Sequence, residues 1–147
     1  MRKAGFKGPV ILELPSDPLL MSAVRGLTEK ICNAAGIAGE QTDKLVLAVD
    51  EACTNVIRHA YGNRRDGRIK LSFLATADRL EIAVRDFGAG TDPAMFRGRD
   101  LSQIRPGGLG MHFIESAADN LEIVCLPGEG MVLKMVKFIR QQEKTQH

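Results

Sequence analysis

The chain has 147 residues, of which 44% are hydrophobic and 26% charged. That is one domain of ordinary globular composition, large enough to bury a core without disulfide or metal, and it excludes a disordered chain. A net charge of +2, no Trp and a single tyrosine, Tyr61, argue against direct nucleic-acid binding and against an anionic membrane.

The apolar run Pro9 to Leu14 reads as a first strand, closed by Pro15-Ser16-Asp17-Pro18. It is too short for a signal peptide, and no stretch approaches the roughly 20 apolar residues of a membrane span. Ser16 or Asp17 can cap a helix with Pro18 in its first turn. Leu19, Leu20, Ala23, Val24, Leu27 and Ile31 then recur at helical spacing, up to the turn bracketed by Gly36 and Gly39.

A second helix is expected from about Gln41 to Tyr61, with an apolar stripe of Leu45, Ala48, Val49, Ala52, Val56 and Ala60. The turn Gly62 to Gly67 follows. Period-two alternation then predicts two strands. Ile69, Leu71 and Phe73 share a face of one, and Leu80, Ile82 and Val84 a face of the next.

From Gly88 to Gly110 the periodicity disappears. This stretch is rich in glycine, and it carries Pro93, Pro106, Arg97, Arg99 and Arg105. A long aperiodic insertion in a compact domain is usually a lid or a binding loop. A third helix begins near Gly110, with Met111, Ile114, Ala117 and Ala118 apolar. Leu121, Ile123 and Cys125 alternate as a strand, and Pro127-Gly128-Glu129-Gly130 turns into a last strand, Met131 to Phe138.

Short turns make the adjacent strand pairs antiparallel. The expectation is an α+β two-layer sandwich, with helices on one face of a mostly antiparallel or mixed sheet. A single domain is expected over residues 1–147, with its core at about 8–138 and a polar tail at 139–147. The cysteines Cys32, Cys53 and Cys125 are odd in number and far apart, with no Cys-x-x-Cys pair. They read as reduced thiols of a cytoplasmic protein, not as a zinc site.

Three places carry chemistry. Glu51 and Asn55 sit one helical turn apart, about 6 Å along the axis, so both side chains share a face. A carboxylate and an amide so placed can hold a hydrated magnesium ion and a hydroxyl, although the same spacing is common on solvated helices. Asp86-Phe87-Gly88-Ala89-Gly90 follows a strand directly. A carboxylate there can accept from an amino group such as adenine's, and glycines let backbone approach a ligand. Gly107-Gly108-Leu109-Gly110 opens a helix, where free N–H groups and the helix dipole suit phosphate oxygens.

Each of the three is unspecific alone. In this order, Glu-x-x-x-Asn, Asp-x-Gly-x-Gly and Gly-x-Gly resemble the ATP-binding domain shared by gyrase, histidine kinases and mismatch-repair ATPases. No Walker-type G-x-x-x-x-G-K-[ST] is present. Within that superfamily, Asp50 to Tyr61 (DEACTNVIRHAY) is similar to the anti-sigma-factor serine/threonine kinases of the RsbW kind. The likeness runs from about Val10 to Phe138.

The resemblance implies ATP and Mg²⁺ as cofactors. It makes Glu51 the general base and Asn55 the magnesium ligand. Asp86 becomes the adenine-reading carboxylate, with Gly88 and Gly90 giving room beside it. Gly108, Leu109 and Gly110 come to the phosphates. Thr91 to Gly107 becomes the ATP lid, with Arg105 reaching the γ-phosphate. His59 is similar in position to a histidine common in that family, and it is expected to support the site or the structure rather than to catalyse. One departure stands out. The family carries Gly-Thr where this chain has Gly130-Met131, so a hydroxyl that supports the aspartate is missing, a loss of about 1 kcal/mol.

The activity so implied is transfer of the ATP γ-phosphoryl to a serine or threonine of a small anti-anti-sigma antagonist. Sequestration of a sigma factor and a homodimer covering the first strand's edge come with it. A nucleotide-gated binding module without catalysis is the competing reading, and Glu51 speaks against it. The ATP-binding half of a sensor histidine kinase is a third, disfavoured by the short stretch before the first strand.

Overall fold

The computed structural model describes residues 6–88 and 109–139. The chain runs β1 (Val10–Pro15), α1 (Met21–Ala35), α2 (Gly39–Asn55), β2 (Arg68–Ala75), β3 (Arg79–Asp86), α3 (Leu109–Ala117), β4 (Asn120–Leu126) and β5 (Gly130–Phe138). The five strands form one sheet in the order β1-β2-β3-β5-β4. Among the described residues every neighbouring strand pair is antiparallel, so the sheet is not a mixed one there. β5 returns to the centre beside β3, which leaves β1 and β4 as the edges.

The alternation in sequence becomes two faces. Leu14, Ile69, Leu71, Phe73, Leu80, Ile82, Val84, Leu133 and Met135 are buried, and their registers put them on one side. The helices cover that side with Val24, Ile31, Leu45, Ala48, Val49 and Ile114. Each large apolar side chain removed from water there contributes roughly 1.5–3 kcal/mol. This is the expected α+β sandwich.

Asp17 is the cap that local chemistry selects. Its Oδ1 accepts from the Leu19 N–H at 3.0 Å, opening a 3₁₀ turn Pro18–Leu20 that leads into α1. Ser16 has a different task. It is fully buried; its hydroxyl donates to the Arg64 carbonyl and accepts from the Gly67 N–H at 2.9 Å. This clasp ties the end of β1 to the turn before β2. At the far end of α1, Gly36 sits at φ 88° and the Ile37 N–H returns to the Cys32 carbonyl at 3.0 Å. Only glycine takes that left-handed cap without strain.

The second helix starts two residues before the periodicity does and ends earlier. Regular α-helix stops at Asn55. Val56–Ala60 then form a wider π-type turn, closed by the Tyr61 N–H on the Val56 carbonyl at 3.2 Å. The apolar positions Val56 and Ile57 stay buried through the change, so spacing alone did not register it. Such turns recur where a helix must accommodate a site.

Candidate functional site

The alternation on β3 places Leu80, Ile82, Val84 and then Asp86 on the helix-covered face. Asp86 occupies a slot that the pattern reserves for an apolar residue, and it is only 1% exposed. Ile69 is its register partner on β2 and Met131 its partner on β5. The Gly88 N–H donates to Oδ1 at 3.1 Å. Burial pushes the carboxyl above its ordinary range, while hydrogen bonds from the Gly88 and Met131 amides and the Arg85 charge pull it back in part. A buried carboxylate with backbone donors on it retains lone pairs for one more donor, such as an exocyclic amine.

Met131, where the resemblance leads one to expect a threonine, is thus the residue directly across the ladder from Asp86. Its backbone amide reaches the same carboxyl, which supplies part of what the missing hydroxyl would have given.

Glycines press the surrounding backbone onto this carboxylate. A Cβ on Gly130, where φ is 105°, would lie 2.1 Å from the Asp86 carbonyl oxygen and 2.8 Å from Oδ1. A Cβ on Gly88 would lie 2.9 Å from the Ala60 carbonyl. That second contact joins the two halves of the site. Ala60 closes the wide turn that begins directly after Asn55, so the end of α2 and the end of β3 abut.

Glu51 and Asn55 are half-buried on α2, one turn apart as the spacing requires. α3 packs along α2, so the helix that starts at Leu109-Gly110 runs beside the one that carries Glu51 and Asn55. Cys53, between them in sequence, is fully buried, and burial lifts its thiol to about 12. His59 is exposed on the wide turn, away from any core role; partial burial of its ring and the neighbouring Arg58 hold its imidazole below the usual value. Gly90, Arg105, Gly108 and the expected lid Thr91 to Gly107 lie outside the described residues.

Tyr61 carries no role in the sequence pattern beyond ending a helix. In the fold its ring is buried against Gly67, whose missing Cβ would stand 2.4 Å from that ring. Its hydroxyl donates to the Arg68 carbonyl and accepts from the Phe87 N–H at 2.7 Å. The only hint in the sequence was that this is the sole tyrosine.

A profile of the histidine kinase-like ATPase domain matches residues 14–137. The serine-protein kinase RsbW of Listeria monocytogenes serovar 1/2a is 32% identical over 91% of this chain and 89% of its own length. This chain belongs to the RsbW serine-protein kinase family. The RsbW of Bacillus pumilus is 29% identical over 92% of the chain and 88% of its own length.

Solved structures agree at the level of fold. The RsbU and RsbW domains of Rv1364c from Mycobacterium tuberculosis match with a TM-score of 0.64 and 16% identity, over 90% of this chain and 32% of that one. The SiaB-SiaC complex from Pseudomonas aeruginosa matches at 0.63 and 11% identity, over 86% and 88%. Both share with this RsbW-family chain the helix-covered sheet. Among its described residues, no helix is long and apolar enough to cross a membrane.

Proposed function

We propose that this RsbW-family protein is an ATP-dependent serine/threonine protein kinase. It phosphorylates a small anti-anti-sigma antagonist and, when that antagonist is spent, sequesters a sigma factor as a cytoplasmic homodimer. The observation that carries the reading is Asp86, a buried carboxylate with spare acceptor capacity, set against the end of the helix that bears Glu51 and Asn55.

Each residue takes one part. Asp86 accepts from the adenine amino group. Gly88 and Gly90 leave room for the base, and Gly108, Leu109 and Gly110 offer amides to phosphate oxygens. Asn55 would hold Mg²⁺, which neutralises charge on the phosphates. Among the described residues no cluster of three or more His, Cys, Asp or Glu could hold a metal by itself. Glu51 takes the proton of the antagonist's hydroxyl as its oxygen bonds to the γ-phosphorus and ADP departs. Arg105 steadies the charge that develops on the transferred group. Among the described residues β1 pairs only with β2, and its Ile11 is 53% exposed, which supports pairing between two copies at that strand.

A nucleotide-gated binding module is the alternative, and Met131 is what favours it. The amide donors on Asp86 reduce that weight.

The test is a pair of variants with the co-purified antagonist as substrate. Glu51→Ala should bind Mg·ATP within about 2-fold of the parent and transfer phosphate roughly 10²–10⁴-fold more slowly. Asn55→Ala should lose both binding and rate. A parent that binds ATP but phosphorylates no co-purifying protein is a binding module and not a kinase.

A further inference from the structure

The adenine carboxylate sits at the last residue of β3, and the chain leaves the sheet at once through Phe87 and Gly88. Something has to hold that exit still. The Asp86 side chain cannot do so alone, because it is itself aimed by where the backbone goes. The exit is gripped at Phe87. The Phe87 N–H donates to the Tyr61 hydroxyl at 2.7 Å. The same hydroxyl donates to the Arg68 carbonyl, at the first residue of β2. The guanidinium carbons of Arg68 and Arg85 each lie 4.4 Å from the Phe87 ring centroid. Tyr61 is itself anchored at the end of the wide turn that follows Asn55, its ring seated on Gly67.

We infer that Tyr61 is a positioning residue for adenine recognition, its phenol locking the Asp86-Phe87-Gly88 backbone to the end of the Asn55 helix. The inference rests on the nucleotide reading above. A phenol suits the task because one oxygen both donates and accepts, so it can tie two backbone strands together where no ladder bond reaches. Phenylalanine would keep the ring packing and leave the Phe87 N–H and the Arg68 carbonyl without this partner. The exit would relax, and the carboxylate would lose its aim at an amino group. The phosphate half of the site, which the nucleotide reading puts at the start of α3, would be untouched. Loss of aim thus penalises ATP more than inosine triphosphate, which carries an oxygen where ATP carries the amine.

Two measurements test this. In the first, ATP and inosine triphosphate are titrated into the parent, Tyr61→Phe and Asp86→Asn by calorimetry. The parent should prefer ATP, and Asp86→Asn should erase that preference. Tyr61→Phe should weaken ATP about 3- to 10-fold, the size of one lost hydrogen bond, and inosine triphosphate by less than about 2-fold. Equal weakening of the two nucleotides, or none, overturns the inference and leaves Asp86 standing. A preference that survives Asp86→Asn overturns the adenine reading itself, and the inference with it.

The second measurement needs no variant. Tyr61 is the sole tyrosine and the chain has no tryptophan, so tyrosine emission reports this phenol alone. Saturating ATP should change that emission more than saturating inosine triphosphate does. Identical emission in all three states overturns the inference.

Discussion

The hairpin between β4 and β5 offers a matched pair of substitutions that isolates the contact behind Asp86. Gly128 and Gly130 both hold positive φ, 75° and 105°, in the same turn. Around Gly128 a new Cβ would find nothing within 4 Å among the described residues, whereas at Gly130 it would meet the Asp86 carbonyl oxygen at 2.1 Å and carbonyl carbon at 2.7 Å. Gly128→Ala therefore carries only the strain of a left-handed residue, about 1–2 kcal/mol. Gly130→Ala carries backbone strain of about 1–3 kcal/mol. To this it adds overpacking against main chain that cannot rotate away, about another 1–3 kcal/mol. For a domain of this size each kcal/mol lowers Tm by roughly 3 °C. Gly128→Ala should thus lose about 3–6 °C and Gly130→Ala about 6–18 °C in a thermal melt. The nucleotide readout should diverge further, because only Gly130→Ala shifts the strand that bears Asp86. ATP affinity should stay within about 2-fold in Gly128→Ala and drop by about 10-fold or more in Gly130→Ala. Equal Tm losses together with equal ATP affinities would refute the idea that close backbone approach at Gly130 sets the aspartate.

Two further expectations follow from the buried ionisable groups. Cys32 and Cys53 are fully buried and their thiols are lifted to about 12, whereas Cys125 is only half-buried on the edge strand β4. A thiol reagent at neutral pH should label Cys125 first in the native protein and the other two only on unfolding, which mass spectrometry of timed digests resolves. Asp86 is raised by burial, so the folded state holds its proton more tightly than the unfolded chain does. Its neutral form favours folding below the ordinary carboxylate value, and that contribution fades as pH rises through the raised folded value. The difference in unfolding free energy between the parent and Asp86→Asn, followed by urea titration from acid to neutral pH, should accordingly fall over that window. A difference that rises there contradicts the burial argument.

Local sequence determined more of this protein than its modest motifs suggest. Strict alternation on β2 and β3, and the 3.6-residue stripe on α2, are properties of side chains that must all leave water on one side; of the stripe expected on α1, Val24 and Ile31 are buried, whereas Leu19 is 77% exposed on the 3₁₀ turn and Ala23 is exposed. The faces of β2, β3 and α2 could be read without the fold. The same holds for Asp17, whose capping is a two-residue event, and for Glu51 and Asn55, whose shared face follows from helix pitch alone. Asp86 was legible as a carboxylate before glycines.

Other facts depend on which strands meet, and no local pattern holds that. β5 lies beside β3 and not at an edge, and only that pairing brings Met131 and Gly130 onto Asp86. The wide turn after Asn55 keeps the same buried positions as a regular helix, so periodicity does not reveal it, yet it delivers the Ala60 carbonyl to Gly88. Tyr61 looked like the last residue of a helix. Its hydroxyl acquires two partners only because β2 begins and β3 ends at the same corner of the sheet. A hydrogen bond between residues 26 apart in the chain exists only once the layers have packed, and that is why only the tertiary structure could decide what holds the carboxylate in place.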